Sequence, residues 1–162
     1  MSSLHKNLSD FSHLTVGSAE GYKIAIVVSQ WNAAVTGALL NGAVDTLLKH
    51  NSKEADINII EVPGSYELIS GADLVLRNDE IDAVICLGCV IQGETRHFDF
   101  ICDAVGNGLA NVSIKYNKPV IFGVLTTDTL EQAQERSGGK YGNKGDEAAI
   151  TAIRMVELHK SL

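Results

Sequence analysis

The sequence predicts an α/β fold in which a four-stranded parallel sheet carries helices on both faces. Two observations predict it. Four short apolar runs are each followed by a segment with helical spacing, an alternation typical of parallel strands joined by right-handed crossovers. The first run, Tyr22 to Ser29, is apolar almost throughout, as expected of a parallel strand that is covered on both faces. Ligands of such sheets bind beyond the carboxyl ends of the strands, so the segments that follow the strands are the candidates for a site.

The first strand follows a polar N-terminal arm, residues 1–20, and spans Tyr22 to Ser29. Asn32 then stands where a helix N-cap is expected. The apolar residues behind it recur every four positions, which is a helical period: Val35, Leu39, Ala43 and Leu47.

The second strand spans Ile57 to Val62, and the dipeptide Pro63-Gly64 predicts a turn after it. Ser65 to Leu76 can form the second helix, which a charged break from Arg77 to Glu80 ends. These spacings again match a strand, a turn and a helix.

The third strand spans Ala83 to Ile91 and breaks at Gly93 into a polar turn. The third helix follows, weakened locally by Gly106 and Gly108. Its apolar face is predicted to hold Phe98, Ile101, Val105, Leu109 and Val112.

The fourth strand, Val120 to Leu125, follows a turn at Asn117-Lys118-Pro119. A short helix from Thr129 to about Arg136 comes next, with Thr126, Thr127 and Asp128 as its candidate caps. The glycine-rich segment SGGKYGNKG leads to a last helix in which Ala149, Ile153 and Val156 share a stripe.

Length and composition predict one domain over residues 1–162, since 162 residues with 45% hydrophobic side chains can bury one core. Thirteen Lys and Arg against twenty Asp and Glu give a net charge of −7, which opposes binding to nucleic acid or to an anionic membrane. The absence of a signal-peptide pattern and of a long apolar segment favours a cytoplasmic protein.

The three cysteines lie in apolar segments, which indicates reduced thiols rather than a disulfide framework. Cys86 and Cys89 form a C-x-x-C pattern. If both lie on one strand, their odd separation directs the sulfurs to opposite faces, so they cannot bind one metal ion. We therefore expect neither a metal nor a redox role.

The turn after the third strand holds Glu94, Thr95, Arg96 and His97. A strand that feeds a helix offers free N–H groups to a phosphate, and an imidazole beside it can transfer a proton. A polar turn in which Thr95 caps the helix is an equally good interpretation. The common phosphate-binding fingerprints are absent from the sequence.

Five motifs in order resemble lumazine synthases: Trp31-Asn32, PGSYE at 63–67, GCVIQGETRHFDF at 88–100, PVIFGVLTT at 119–127 and ERSGGKYGNKG at 135–145. The resemblance runs from about Tyr22 to Leu158. It implies a flavodoxin-like three-layer sandwich that uses no cofactor or metal. It also implies the penultimate reaction of riboflavin biosynthesis, in which 5-amino-6-(D-ribitylamino)uracil and 3,4-dihydroxy-2-butanone 4-phosphate give 6,7-dimethyl-8-ribityllumazine, phosphate and water.

Matching the motifs residue by residue, the resemblance implies that Trp31 stacks on the pyrimidine and that His97 transfers protons. The remaining residues that it places at the pyrimidine and its ribityl chain are Ser65, Tyr66, Glu67, Cys89, Val90, Ile91 and, from a neighbouring subunit, Phe122. Those that it places near the phosphate are Glu94, Thr95, Arg136 and Lys144. Gln92 replaces a frequent arginine and Cys89 a smaller residue, and both changes concern affinity more than activity.

Each of these residues also has an ordinary structural interpretation. Trp31 and Phe122 could be core or interface residues, and Arg136 a surface charge at a helix C-terminus. Glu67 could be a first-turn helix acid, and Lys144 a solvated loop lysine. Their convergence on one sheet edge favours the functional interpretation.

The resemblance further implies a homo-oligomer of five subunits, which the glycine-rich loop at 137–147 is expected to extend into a hollow icosahedron of sixty. A free pentamer or a pair of pentamers is the alternative. The N-terminal arm is expected to pair as an extra strand with a neighbouring subunit. Riboflavin synthase is a further expected partner.

Two other functions compete with this one. The sheet topology alone would permit a flavodoxin-like flavin-binding or electron-transfer module, but the loop after the first strand, Ser29 to Ala33, is bulky where a phosphate loop needs small residues. A structural shell protein with a decayed site is the third possibility. The intact set of Trp31, Glu67, His97 and Arg136 argues against it.

Overall fold

A four-stranded parallel sheet organises the computed structural model, which describes residues 7–162. The strands β1 (Ile24–Ser29), β2 (Ile57–Val62), β3 (Ala83–Ile91) and β4 (Val120–Thr127) lie in the order β2-β1-β3-β4. A short antiparallel hairpin forms separately, from β5 (Ser137–Gly139) and β6 (Gly142–Asn143). The predicted parallel sheet is confirmed.

Five helices connect the strands in the described part of the chain: α1 (Ala33–Lys49), α2 (Leu68–Val75), α3 (His97–Tyr116), α4 (Leu130–Gln134) and α5 (Lys144–Ser161). A 3₁₀ turn at Glu54–Asp56 precedes β2. The apolar stripes predicted for α1 and α5 are buried, and on α3 the buried residues are Val105, Leu109 and Val112.

Two cores lie on opposite faces of the sheet. One packs α1 and α5 against side chains such as Ile26, Ile85 and Leu87. The other packs α2 and α3 against Val27 and Val84 among others. The alternation of side chains along buried strands thus produces three layers, the predicted flavodoxin-like sandwich.

The caps predicted for α4 were wrong, whereas the predicted N-cap position of α1 is confirmed. Thr126 and Thr127 are the last residues of β4, so neither caps α4, and Asp128 does not cap it either. The N-cap residue is Thr129, whose hydroxyl accepts the backbone N–H of Gln132 at 3.2 Å. Asn32 occupies the N-cap position of α1, but its side chain makes no capping bond there.

The N-terminal arm forms no strand between residues 7 and 23, and its residues 1–6 lie outside the described residues. Leu8 donates its N–H to the Tyr141 carbonyl at 2.7 Å, and the Ser9 hydroxyl accepts the N–H of Asn143 at 2.9 Å. Within one chain, the arm therefore contacts the β5-β6 hairpin.

Candidate active site

A cavity of about 610 Å³ opens at the carboxyl ends of β1, β2 and β3, which is within the size range of small-molecule sites. Its lining comes from three loops that follow the strands and from the first turns of α3. The lining residues are Trp31, Asn32, Gly64, Ser65, Tyr66, Glu67, Cys89, Val90, Ile91, His97 and Ile101.

Trp31 lies in the turn between β1 and α1 and is 71% exposed, so it is not a core residue of this chain. Its backbone N–H donates to the Pro63 carbonyl at 3.1 Å, and its carbonyl accepts the Ser29 hydroxyl at 3.3 Å. The backbone is therefore fixed while the indole face stays accessible for stacking.

The segment PGSYE connects β2 to α2. Glu67 is the N-cap residue of α2, so the helix begins later than the Ser65 predicted from sequence. Ser65 is buried, and its hydroxyl has no hydrogen-bond partner among the described residues. Because a buried hydroxyl without a partner is costly, a ligand that bonds to Ser65 would recover that loss.

The end of β3 lines the cavity between these loops with Cys89, Val90 and Ile91. Burial raises the pKa of the Cys89 thiol to about 11, so the thiol is protonated at neutral pH and is a poor nucleophile. The sulfur of Cys86 belongs to the opposite core, as the odd spacing predicts. Residues 7–162 contain no group of side chains suited to hold a metal ion.

His97 is the first residue of α3 and is exposed at the cavity. Its backbone N–H donates to the Thr95 hydroxyl at 3.4 Å. The N-cap residue of α3 is Arg96 and its side chain makes no capping bond, so the interpretation of Thr95 as the helix cap is wrong, while the imidazole of His97 remains at the cavity.

Five predicted site residues do not line the cavity of the single chain: Glu94, Thr95, Phe122, Arg136 and Lys144. Phe122 lies on β4 opposite Cys86 of β3 and is 40% exposed. Its exposed ring is therefore accessible to another molecule rather than to its own cavity.

Arg136 follows α4, and its guanidinium donates to the Gln132 carbonyl at 2.9 Å. The same group lies 4.8 Å from the centre of the Tyr141 ring, within range of a cation–π interaction. Lys144 begins α5, is 13% exposed and forms an ion pair with Glu147 at 2.8 Å. The solvated-loop interpretation of Lys144 is therefore wrong.

Asn32, Gly64 and Ile101 line the cavity but were not predicted as site residues. Asn32 and Gly64 lie inside motifs that the sequence already singled out. Ile101 stands four residues after His97, so helical spacing places both on one face of α3 and could have identified it. The Asn32 amide donates to the Cys89 carbonyl at 3.0 Å.

The fold and the cavity together define a flavodoxin-like α/β protein with a small-molecule site at its sheet edge. The family model described as 6,7-dimethyl-8-ribityllumazine synthase matches residues 21–160. The chain belongs to this family and is therefore a transferase of riboflavin biosynthesis.

Relatives that bear the name 6,7-dimethyl-8-ribityllumazine synthase cover nearly the whole chain. The one from Cytophaga hutchinsonii is 56% identical over 156 residues, 96% of this chain and 98% of the relative. The one from Aquifex aeolicus is 50% identical over 145 residues, 90% of this chain and 94% of the relative. The one from Phocaeicola vulgatus is 45% identical over 162 residues, 100% of this chain and 96% of the relative.

These comparisons favour the synthase over the flavin-binding module that the topology alone would permit. Over residues 7–162, no helix has the length and hydropathy needed to cross a membrane.

Proposed function

We propose that the protein condenses 5-amino-6-(D-ribitylamino)uracil with 3,4-dihydroxy-2-butanone 4-phosphate to form 6,7-dimethyl-8-ribityllumazine. The observation that carries this proposal is the convergence of Trp31, Glu67 and His97 on one cavity, from three separate segments of the chain. Together they supply an aromatic face, a hydrogen-bond acceptor and a group that transfers protons.

The ribitylaminouracil fits the part of the cavity between Trp31 and the end of β3. The exposed indole supplies a stacking surface, and the backbone of Cys89 to Ile91 supplies polar groups for the ring edge. Glu67 accepts hydrogen bonds from the ribityl hydroxyls, and one hydroxyl supplies the missing partner of Ser65. Tyr66 completes this side of the cavity.

The chemistry requires only proton transfers and stable leaving groups. The pyrimidine amine attacks the ketone, water leaves to give an imine, phosphate is eliminated, and ring closure releases a second water. The exposed imidazole of His97 is the group that accepts and returns these protons. Alignment of the two substrates supplies the larger share of the rate enhancement. Effective molarity can lower the activation barrier by about 7–11 kcal/mol, whereas acid–base catalysis typically accelerates a reaction by roughly 10²–10⁴-fold. No redox cofactor is required by these steps.

The phosphate is placed at the turn before α3, where Thr95 and the helix N-terminus offer hydrogen-bond donors. Glu94 lies in the same turn. Arg136 does not line the cavity of its own chain, so in this proposal the Arg136 of an adjacent subunit supplies the paired charge-assisted bonds that phosphate favours. Lys144 contributes less, because its ammonium already forms an ion pair with Glu147.

The decisive experiment mixes purified protein with both substrates and follows the absorbance and fluorescence of the lumazine. Product should form only when protein and both substrates are present, above the uncatalysed rate. The Trp31→Ala variant is the matched control, because it removes an exposed stacking surface without touching the core. Absence of product with the native protein, together with tight binding of a reducible flavin, would instead favour the flavin-binding module.

We also propose that one domain over residues 1–162 assembles in the cytoplasm into pentamers, in which Phe122 completes the cavity of the adjacent subunit. Its exposure outside its own cavity supports this arrangement. The N-terminal arm then pairs with a neighbour, and riboflavin synthase is a candidate partner of the assembled particle.

The β5-β6 hairpin supports closure of pentamers into a sixty-subunit icosahedron. Gly138 and Gly142 have φ values of 114° and 80°, which favour glycine at this tight turn. Sedimentation should reveal a megadalton species. A species of only five or ten subunits would contradict the icosahedron while leaving the proposed reaction intact.

A further inference from the structure

Asn32 has an unusual conformation for the residue that precedes a helix. Its φ and ψ are 61° and 44°, in the left-handed region, and its side chain makes no capping bond to α1. Asparagine is among the best N-cap residues, so α1 lacks a stabilising bond from its backbone N–H groups to this side chain. The amide instead donates to the carbonyl of Cys89, 57 residues away, at 3.0 Å.

This bond spans the point where β1 and β3 separate. Their paired register ends at Val28 and Leu87, whereas the ladder between β1 and β2 continues to Ser29 and Val62. Beyond it, the N–H groups of Gln30 and Trp31 bond to the carbonyls of Val62 and Pro63. The Trp31 turn is thus fixed to β2 by its backbone.

The same turn is also bonded to β3. Among the hydrogen bonds of the described residues, the one from the Asn32 amide to the Cys89 carbonyl joins the turn to the end of this strand. Trp31 and the Cys89–Ile91 segment line the same cavity. The Asn32 side chain therefore ties the turn that carries the indole to the backbone of β3, in addition to the backbone bonds that fix this turn to β2.

We propose that Asn32 is a positioning residue that holds the Trp31 ring at a fixed separation from the end of β3 and so sets the width of the pyrimidine subsite. The effect on substrate binding rests on the proposed function. The effect on Trp31 does not, because it concerns the free protein alone.

Two requirements explain why asparagine suits this position. The backbone must adopt a positive φ, which asparagine tolerates better than most residues, and the side chain must donate a hydrogen bond. Aspartate tolerates the backbone, but its carboxylate cannot donate to a carbonyl. Asn32→Asp therefore removes the bridge while keeping the size and shape of the side chain.

The test compares Asn32→Asp and Asn32→Gly with the native protein. Trp31 is the single tryptophan of the chain, so the anisotropy decay of its fluorescence reports the mobility of this ring alone. The matched control is Asn51→Asp. Asn51 also has a positive φ of 70°, and its amide donates to the Ser18 hydroxyl at 3.2 Å, but it does not line the cavity.

Both Asn32 variants should increase the mobility of Trp31 and raise KM for the ribitylaminouracil about three- to tenfold, the loss of one hydrogen bond. Both variants should lower the thermal midpoint slightly, because the part-buried Cys89 carbonyl loses its bond from the Asn32 amide, and KM for the phosphate substrate should change less than KM for the ribitylaminouracil. Asn51→Asp should alter none of these quantities. If Asn32→Asp does not fold, Asn32→Gly, which accepts the same backbone, gives the same two readouts.

Native Trp31 mobility in the folded Asn32 variants would overturn the proposal, and so would increased mobility with an unchanged KM. A native protein that forms no lumazine would refute the proposed function instead. In that case, Trp31 mobility still decides whether Asn32 positions the ring.

Discussion

Replacing Gly88 with alanine should damage both stability and the cavity. Gly88 lies on β3 facing α2, and an added Cβ would meet the Ser65 Oγ at 2.7 Å and the Leu68 Cδ1 at 2.9 Å. Both distances are shorter than carbon contacts normally allow. Leu68 is fully buried in the core and Ser65 lines the cavity, so either α2 moves outward or Ser65 moves towards the ligand.

Overpacking of this kind costs about 1–3 kcal/mol of the free energy of unfolding. For a chain of this size, that lowers the thermal midpoint by roughly 2–12 °C. KM for the ribitylaminouracil should rise in the same variant, since Ser65 is displaced. Thermal unfolding at one protein concentration and steady-state kinetics measure the two effects.

Gly37→Ala is the matched control for this substitution. Gly37 lies inside α1, and its added Cβ would meet nothing within 4 Å. Alanine there should raise the free energy of unfolding by about 0.5–1 kcal/mol, because it is the better helix former, with unchanged KM. A Gly88→Ala protein with native midpoint and native KM would refute this account of how β3 packs against the PGSYE segment.

Three further variants test other parts of the molecule. His97→Ala should lower kcat by about one to two orders of magnitude with fold and assembly intact, and full activity would remove His97 from the mechanism. Arg136→Ala should raise KM for the phosphate substrate much more than for the pyrimidine, whereas equal changes would contradict a phosphate role. The third variant is Asp73→Asn. Hydrogen bonds from Lys115 above all hold the pKa of Asp73 below its usual value. The carboxylate therefore stabilises the fold above about pH 4, and this contribution is lost as the pH falls through the folded pKa. Denaturant unfolding should show Asp73→Asn less stable than the native protein at pH 7, with the difference vanishing in acid.

The strands were predictable because their signal is local and strong. The ranges predicted for β2 and β3 coincide with those in the structure, because β3 is a continuous apolar run and β2, rich in isoleucine, ends at the turn dipeptide Pro63-Gly64. The stripes on α1 and α5 were equally clear. The C-terminal bound of β4 was harder to predict, because threonine suits both a strand and a helix cap, and Thr126 and Thr127 belong to the strand.

Some residues of the candidate site were also predictable from the sequence, and others were not. Sequence motifs identified Trp31, Glu67 and His97, because each follows a strand and parallel strands bring their carboxyl ends to one edge. The sequence could not reveal that the Arg136 guanidinium lies against the Tyr141 ring, because this contact depends on how the chain folds back after α4. The ion pair of Lys144 with Glu147 joins residues three apart within α5, so helical spacing could have indicated it.

By itself, then, the sequence determined the succession of strands and helices along the chain, the buried helix faces and the family. The first two follow from local periodicity, and the family follows from five motifs that occur in the expected order. Only the tertiary structure decided what Asn32 does. A helix cap would use the Asn32 amide oxygen as an acceptor, whereas the bond that forms uses the amide nitrogen as a donor to the Cys89 carbonyl, and this bond depends on where the end of β3 lies in space. Capping propensity is local, but the acceptor that replaced it is 57 residues away and is brought near by the sheet.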